Sequence, residues 1–153
     1  MHRKITFTQD GLDTFTKEYD ELIAKRPQTV AELSRARDMG DRSENAAYKS
    51  ARHALSTIDR RIRHLKKILD NAVVTAISQY EFVDIGHTVI VKINDIPIEY
   101  TIVGGYESDI VNGKLSFHSP VGKSLLGKKI GDSFSVHTPS GIKTYTILDI
   151  KKV

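Results

Sequence analysis

One run of residues restricts the fold of this chain more than any other feature. Between residues 48 and 72, apolar or small side chains recur at alternating spacings of three and four over three heptads. This is the a/d pattern of a coiled-coil seam, and it predicts a long helix that buries a narrow stripe against one partner helix. The seam positions are Tyr48, Ala51, Leu55, Ile58, Ile62, Leu65, Leu69 and Ala72.

The residues before this seam supply the partner helix. Residues 10–38 contain one proline and one glycine, and Thr8 offers an N-cap before them. Pro27 predicts a kink or one lost hydrogen bond rather than a full break, and Val30 and Leu33 then resume the apolar face. The apolar face before the proline is formed by Leu12, Phe15, Tyr19 and Leu22.

The two helices are predicted to form an antiparallel hairpin, because only a short turn at residues 39–43 joins them. Each helix of roughly 28 residues would be about 40 Å long at about 1.5 Å per residue. The rest of the chain is too small to surround such a rod, so we expect most of it to project into solvent or into a partner.

The second half of the chain changes to the pattern of short strands rich in β-branched residues. A short helix is predicted within residues 119–127, with Ser119 as its cap, Pro120 at its first position and Gly127 at its end. The fold class is therefore α+β with two domains, a helical hairpin in residues 1–75 and a small β-rich domain in residues 76–153. The predicted strands are residues 73–77, 88–93, 98–103, 133–138 and 143–150, with turns at 94–97 and 139–141.

Composition excludes several classes of protein. The 153 residues are 39% hydrophobic and 27% charged, as in globular proteins. No window approaches the roughly 20 apolar residues that span a bilayer, and the N-terminus lacks the apolar segment of a secretory signal. Without cysteine the chain has no disulfide or thiolate site, which fits a reducing cytoplasm. We therefore expect a cytoplasmic protein with no membrane partner.

The turn between the helices has two compatible interpretations. Gly40 can end the first helix in a left-handed conformation, and Asp41 can cap the second helix with Glu44 as its capping-box partner. Alternatively, Asp41 and Glu44 form part of a Mg²⁺ site, since this ion usually takes one or two carboxylates and completes its shell with water and phosphate. Two carboxylates alone bind Mg²⁺ weakly, so the pair would act only beside a phosphate and another metal.

Basic charge is concentrated on the second helix. Residues 49–67 contain seven Lys or Arg and one acidic residue, whereas residues 10–38 contain seven acidic and five basic residues. The surplus is either the solvated flank of a coiled coil or a strip that follows a phosphate backbone. Four basic residues close to one face, outside the seam, are the candidates for the strip: Lys49, Arg52, Arg60 and Arg63.

Three segments resemble one family, the bacterial Gre transcription elongation factors. Residues 40–48 (GDRSENAAY) resemble its hairpin-tip motif, residues 58–65 (IDRRIRHL) its second helix, and residues 119–128 (SPVGKSLLGK) with Gly131 and Asp132 its C-terminal signature. Arg26 and Pro27 also match. The segments agree in order and spacing across essentially the whole chain. The tip and second helix lean toward the GreB branch, whereas residues 126–128 are closer to GreA, and Ala47 replaces an acidic residue common in both.

The resemblance implies a function inside another protein. In this family the hairpin enters the secondary channel of bacterial RNA polymerase, and an FKBP-like C-terminal domain docks at the channel rim. The tip acids help the polymerase active site to hold a second Mg²⁺, and the extruded 3′ end of the backtracked nascent RNA is cut. The factor is then not an enzyme by itself, binds no cofactor tightly when free, and is a monomer when free.

By position, the resemblance assigns roles to individual residues. Asp41 and Glu44 are the catalytic and metal-binding residues, and only inside the polymerase complex. Tip positioning falls to Arg42, Ser43 and Asn45, and RNA guidance to Lys49, Arg52, Arg60 and Arg63. Polymerase docking falls to Ser119, Pro120, Lys123, Leu125, Leu126 and Gly127.

Two other functions compete with this one. A non-catalytic relative would enter the same channel and inhibit or modulate polymerase, although the intact acidic pair argues against it. A free-standing nucleic-acid-binding or prolyl isomerase module is the third class, suggested by the basic strip and the FKBP-like domain.

Overall fold

The computed structural model describes residues 3–40, 45–75 and 81–152. The chain divides into two compact units. The first contains Leu12–Ala72, and the second contains Lys4–Gly11 together with the residues from Val73 onward. The predicted boundary at residue 75 stays a prediction, but the N-terminal strand described below lies in the second unit although it precedes both helices.

Helix α1 spans Gln9–Arg37 without a break, and Pro27 lies in its interior. The Thr8 hydroxyl accepts a hydrogen bond from the Gly11 amide at 3.1 Å, which confirms the predicted N-cap. Beyond the proline, the prediction that Val30 lies on the apolar face is wrong, whereas the predicted Leu33 is half-buried. Thr29 is only 3% exposed, whereas Val30 is 38% exposed.

The inward face of α1 therefore keeps its heptad phase through the proline. Positions 12, 15, 19, 22, 26, 29, 33 and 36 continue the alternation of three and four, and Ala36 is buried at its far end. Thr29 is a buried polar residue at a seam position that an apolar pattern does not recognise. Arg26, at the seam position before it, is exposed. Residues three and four apart share one face of a helix, so an unbroken α1 keeps these positions in line.

Helix α2 spans Ala46–Leu69, and its buried residues include the predicted seam positions Ile58 and Leu65. It is shorter than predicted, because Ala72 begins a strand instead of ending the seam. Ile68, which the heptad pattern omits, is also buried.

The second unit is built on a curled sheet of five strands: β3 (His87–Ile93), β4 (Ile96–Val103), β5 (Lys114–Ser116), β6 (Ser133–Thr138) and β7 (Gly141–Lys152). Their order across the sheet is β5-β4-β3-β7-β6. Pairing is antiparallel except between β4 and β5, which run parallel. Two further strands, β1 (Ile5–Phe7) and β2 (Ala72–Val74), pair with each other in a separate sheet.

The predicted turns and short helix are confirmed. Asn94 and Asp95 both have positive φ in the two-residue turn between β3 and β4. Helix α3 spans Pro120–Leu125, with Ser119 as its N-cap and Pro120 in its first turn. Strands β1 and β5 were not predicted, because each has only three residues and depends on distant partners. The last predicted residues of the first strand, Ala76 and Ile77, lie outside the described residues.

These elements confirm the α+β fold class, with two long helices followed by an antiparallel-rich sheet and one short helix. The core of the second unit includes Val89 and Val91 of β3, Ile102 of β4, Leu125 of α3 and Ile147 of β7. No helix among the described residues is long and apolar enough to cross a membrane.

Candidate functional site

The hairpin tip lies between the end of α1 and the start of α2. After α1, the Met39 amide donates to the Ala36 carbonyl at 3.2 Å, and Gly40 has a φ of +136°, a value that favours glycine. The candidate tip residues Asp41, Arg42, Ser43 and Glu44 lie outside the described residues. Their roles therefore stay predictions.

Asn45, the first described residue after the turn, caps α2. Its side-chain oxygen accepts a hydrogen bond from the Tyr48 amide at 3.0 Å, and α2 begins at Ala46. The prediction that Asp41 caps this helix, with Glu44 as capping-box partner, is wrong. The signal was present in the sequence, because Asn is a strong N-cap residue and stands three positions before the first seam residue.

The side-chain nitrogen of Asn45 makes a second contact that the sequence does not reveal. It donates to the Ala36 carbonyl at 2.6 Å, across nine positions of the chain. Ala36 belongs to the last turn of α1, where carbonyl groups have no partner within the helix. One half-buried amide therefore connects the two helix ends on either side of the tip.

A metal at the tip would depend on the two acidic residues. Among the described residues, no three His, Asp or Glu side chains come together in a group that could hold a metal ion. Asp41 and Glu44 add two carboxylates, the number of protein ligands that Mg²⁺ commonly takes. Carboxylate oxygens are donors that suit Mg²⁺, and the metal role of the pair stays a prediction.

Two bidentate ion pairs connect α1 and α2. Arg26 donates to both carboxylate oxygens of Asp59 at 2.6 and 3.2 Å, and Arg61 donates to those of Glu18 at 2.6 and 2.8 Å. The hydrogen bonds from the arginines lower the pKa of Asp59 and of Glu18. Arg61 is thus committed to a contact within the hairpin.

Lys49, Arg52, Arg60 and Arg63 form what we call the basic face. All four side chains are exposed, and they fall within about 80° of the helix circumference at about 100° per residue. None forms an ion pair with another residue that the structure describes. By contrast, Lys66 pairs with Asp70 at 2.9 Å. Within the described part of the chain, the four candidates are therefore exposed and outside ion pairs, as contact with an external polyanion requires.

The candidate docking residues surround α3. The Ser119 hydroxyl accepts from the Gly122 amide at 3.1 Å and donates to the Ser116 carbonyl at 2.7 Å, which fixes the start of the helix. Pro120 and Lys123 are exposed, as is Gly127, which has a φ of +76°. Leu126 is half-buried. Leu125 is fully buried in the core of the second unit, so its side chain supports the helix and does not present a contact surface.

Two models of known protein families together match almost the whole chain. The family model for "Transcription elongation factor, N-terminal" matches residues 5–74, and that for "Transcription elongation factor, GreA/GreB, C-term" matches residues 78–152. The chain belongs to the GreA/GreB family of transcription elongation factors.

Two sequence relatives, both named GreA, agree with this assignment. The chain is 38% identical over 154 residues to transcription elongation factor GreA of Neorickettsia sennetsu, with 97% of each protein covered. It is 40% identical over 153 residues to GreA of Rhodospirillum rubrum, which covers 97% of this chain and 98% of the relative. A solved structure of the transcription factor Gfh1 is 23% identical, covers 98% of this chain and 99% of its own, and gives a TM-score of 0.48. Because both sequence relatives are named GreA, the predicted leaning toward GreB is not confirmed.

Proposed function

We propose that this GreA/GreB family member stimulates RNA polymerase to cleave the 3′ end of backtracked nascent RNA. Its hairpin would enter the secondary channel of the polymerase, and the second unit would dock at the channel rim. The observation that carries the proposal is the family match over both halves of a chain that keeps acidic residues at positions 41 and 44. The factor would act in the cytoplasm and arrive as a monomer.

The tip carboxylates would supply ligands that the polymerase lacks when it works alone. A second Mg²⁺, shared with the polymerase active site, would stabilise charge on the scissile phosphate and help to activate water. Asp41 and Glu44 would hold this ion from the factor's side, with Arg42, Ser43 and Asn45 as positioning residues. Because two carboxylates form only part of a Mg²⁺ shell, the site would be complete only within the complex.

The other candidate residues would bring the RNA and the tip together. The basic face would attract the extruded RNA through its phosphates, a contact that does not depend on base sequence. Exposed residues around α3, including Pro120 and Lys123, would contact the rim, and buried Leu125 would hold α3 in place. Each of these roles concerns binding and orientation, whereas the reacting groups belong to the polymerase.

The experiment that tests this proposal is RNA cleavage in purified backtracked complexes. The parent protein should accelerate cleavage, and Asp41→Asn and Glu44→Gln should each abolish most of the acceleration, since each removes a charged ligand and keeps the side-chain shape. Asp38→Asn is the matched control, because Asp38 is an exposed acidic residue at the end of α1 without a proposed metal role. It should cleave like the parent.

Two outcomes would contradict the proposal. If both variants cleave like the parent, the carboxylates have no metal role. If the parent binds polymerase and slows or fails to stimulate cleavage, the protein is instead a non-catalytic channel binder. Product lengths in the same assay would show whether it cleaves like GreA or, as expected for GreB, releases longer fragments.

A further inference from the structure

Asp59 is the only acidic residue of α2, and it lies beside the basic face. At about 100° per residue, it is about 20° around the helix from Arg52 and about 40° from Arg63. Arg63 follows Asp59 by four positions, so the two side chains are neighbours on the helix surface. A negative charge at this point opposes the binding of a phosphate backbone to the basic face.

Arg26 of the other helix, α1, holds this carboxylate. Its Nε and Nη2 groups donate to the two carboxylate oxygens of Asp59 at 2.6 and 3.2 Å. A bidentate pair of this kind fixes the orientation of the carboxylate. The hydrogen bond from Arg26 lowers the pKa of Asp59 most, and the positive charges of Arg26 and of Arg63 lower it further. Asp59 is therefore an ionised carboxylate close to Arg63 that is bound to the opposite helix.

Arg63 forms no ion pair with another residue that the structure describes. An acidic residue four positions before a basic one is a favourable arrangement for an ion pair within a helix. Asp59 would therefore pair with Arg63 if Arg26 were absent, and the pair would occupy donors that a phosphate needs. Two arginines thus compete for one carboxylate, and the arginine of α1 is the one that is bound.

We propose that Arg26 is a positioning residue of the basic face, because it holds Asp59 away from Arg63 and so leaves Arg63 available for an RNA phosphate. Arg26 acts through Asp59 and does not need to touch the RNA. It also balances the one negative charge beside the face. This inference rests on the proposed function, in which the basic face meets the extruded RNA. It adds a residue of α1 that the charge pattern of α2 alone does not indicate.

A purely structural role for Arg26 makes a different prediction. Arg61 and Glu18 form a second bidentate pair between α1 and α2, and Arg61 lies about 100° or more from every residue of the basic face. If such pairs only hold the helices together, the loss of either should have the same effect on RNA binding. Arg61→Gln is therefore the matched control for Arg26→Gln, since each removes one positive charge and one interhelical pair.

The experiment measures how the full chain binds a fluorescent single-stranded RNA of about ten nucleotides. Anisotropy is recorded at salt concentrations from about 50 to about 200 mM. At about 50 mM salt, Arg26→Gln should lower the affinity by about fivefold to tenfold, the contribution of one phosphate contact. The slope of log affinity against log salt should become shallower by about 0.7. Arg61→Gln should change the affinity by less than about twofold, because its charge is far from the face and is screened.

A second substitution separates the charge of Asp59 from the structure of the hairpin. The double variant Arg26→Gln, Asp59→Asn has the net charge of the parent and the same basic face, but it has no ion pair at this position. Because the carboxylate that captures Arg63 is gone, its RNA affinity should return to within about twofold of the parent. Asp59→Asn alone should bind RNA at least as tightly as the parent. The thermal unfolding midpoints of Arg26→Gln and of the double variant should be close, since both lack the pair.

Three results would overturn the inference. A double variant that binds RNA as weakly as Arg26→Gln would show that the pair has only a structural role. Equal losses of affinity in Arg26→Gln and Arg61→Gln would show a general effect of net charge or of hairpin stability. A parent that does not bind the RNA at about 50 mM salt, where phosphate contacts are strong, would show that the basic face is not an RNA-binding surface.

Cleavage in backtracked complexes tests the proposed function separately. A parent that stimulates cleavage without the expected pattern of RNA binding would refute the role of Arg26 and leave the proposed function intact. A parent that shows this pattern without stimulating cleavage would support the role of Arg26 and refute the proposed cleavage function.

Discussion

Removing the charges of the basic face should make the affinity of the factor for backtracked complexes less dependent on salt concentration. We expect this effect on complexes that carry a long extruded RNA. The variant replaces all four residues of this face, Lys49, Arg52, Arg60 and Arg63, by glutamine. These side chains are exposed and lack ion pairs within the described part of the chain. Each is therefore available for one phosphate contact.

The size of the effect follows from counterion release. Each phosphate contact on single-stranded nucleic acid contributes about 0.7 to the slope of log affinity against log salt. Four contacts predict a slope that is shallower by roughly 3 in the variant. When the salt concentration rises from 50 to 200 mM, the affinity of the parent for the complex should thus fall by roughly 50-fold more than the affinity of the variant.

The assay measures the factor concentration for half-maximal cleavage at several salt concentrations. We expect RNA to reach the face only in complexes backtracked by a long distance, so complexes backtracked by a short distance serve as the internal reference. Lys66→Gln is the control variant, because it removes one charge from α2 at a residue already paired with Asp70. Equal slopes for the quadruple variant and the parent would refute the assignment of these residues to RNA binding.

Three further predictions concern the hairpin and the docking helix. Thr29→Asp should destabilise the hairpin by more than about 2 kcal/mol and Val30→Asp by less than about 0.5 kcal/mol, because only Thr29 is buried. The free energies are measured by urea denaturation followed by helix content, and a larger loss for Val30→Asp would show that Val30 is the residue that faces inward. Arginine pairing lowers the pKa of Glu18 and of Asp59 below their ordinary values of 4.5 and 3.8. The stabilisation from these ion pairs is therefore complete at a pH above the ordinary pKa values, and it is lost as the pH falls through the lowered pKa values. In a Glu18→Gln, Asp59→Asn variant, the thermal unfolding midpoint should fall less steeply as the solution is acidified. In Gly122→Ala, the new methyl carbon would lie 2.1 Å from a backbone carbonyl oxygen of β5. The variant should therefore have a lower thermal stability in the second unit and need a higher factor concentration for half-maximal cleavage. A variant as stable as the parent would show that α3 can shift to make room for the methyl group.

Much of the fold followed from local patterns. The heptad spacing located α2, the cap at Thr8 located the start of α1, and the Ser119 cap with Pro120 located α3. These features depend on neighbours a few positions away, so the sequence contains the information directly. Short strands such as β5 depend on pairing with distant segments, which no local pattern encodes.

The candidate site was only partly predictable for a related reason. The identity of Asp41 and Glu44, and the surplus of positive charge on α2, are properties of the sequence alone. Which helix end Asn45 holds, and which arginines are already paired within the hairpin, depend on how two helices meet. Long polar side chains have many rotamers and several partners within reach, so their choice is settled by packing.

The sequence by itself determined that this chain forms a helical hairpin with acidic residues between its helices and a basic second helix, followed by a β-rich domain. The tertiary structure decided that Thr29 rather than Val30 faces inward, and that the Asn45 side chain also donates to the Ala36 carbonyl at the end of α1. It also decided that Arg61 is committed to Glu18, whereas the residues of the basic face are exposed and form no ion pair with another described residue. Spacing specifies which residues share a face, but only the partner helix determines which face is buried and which polar groups find a partner.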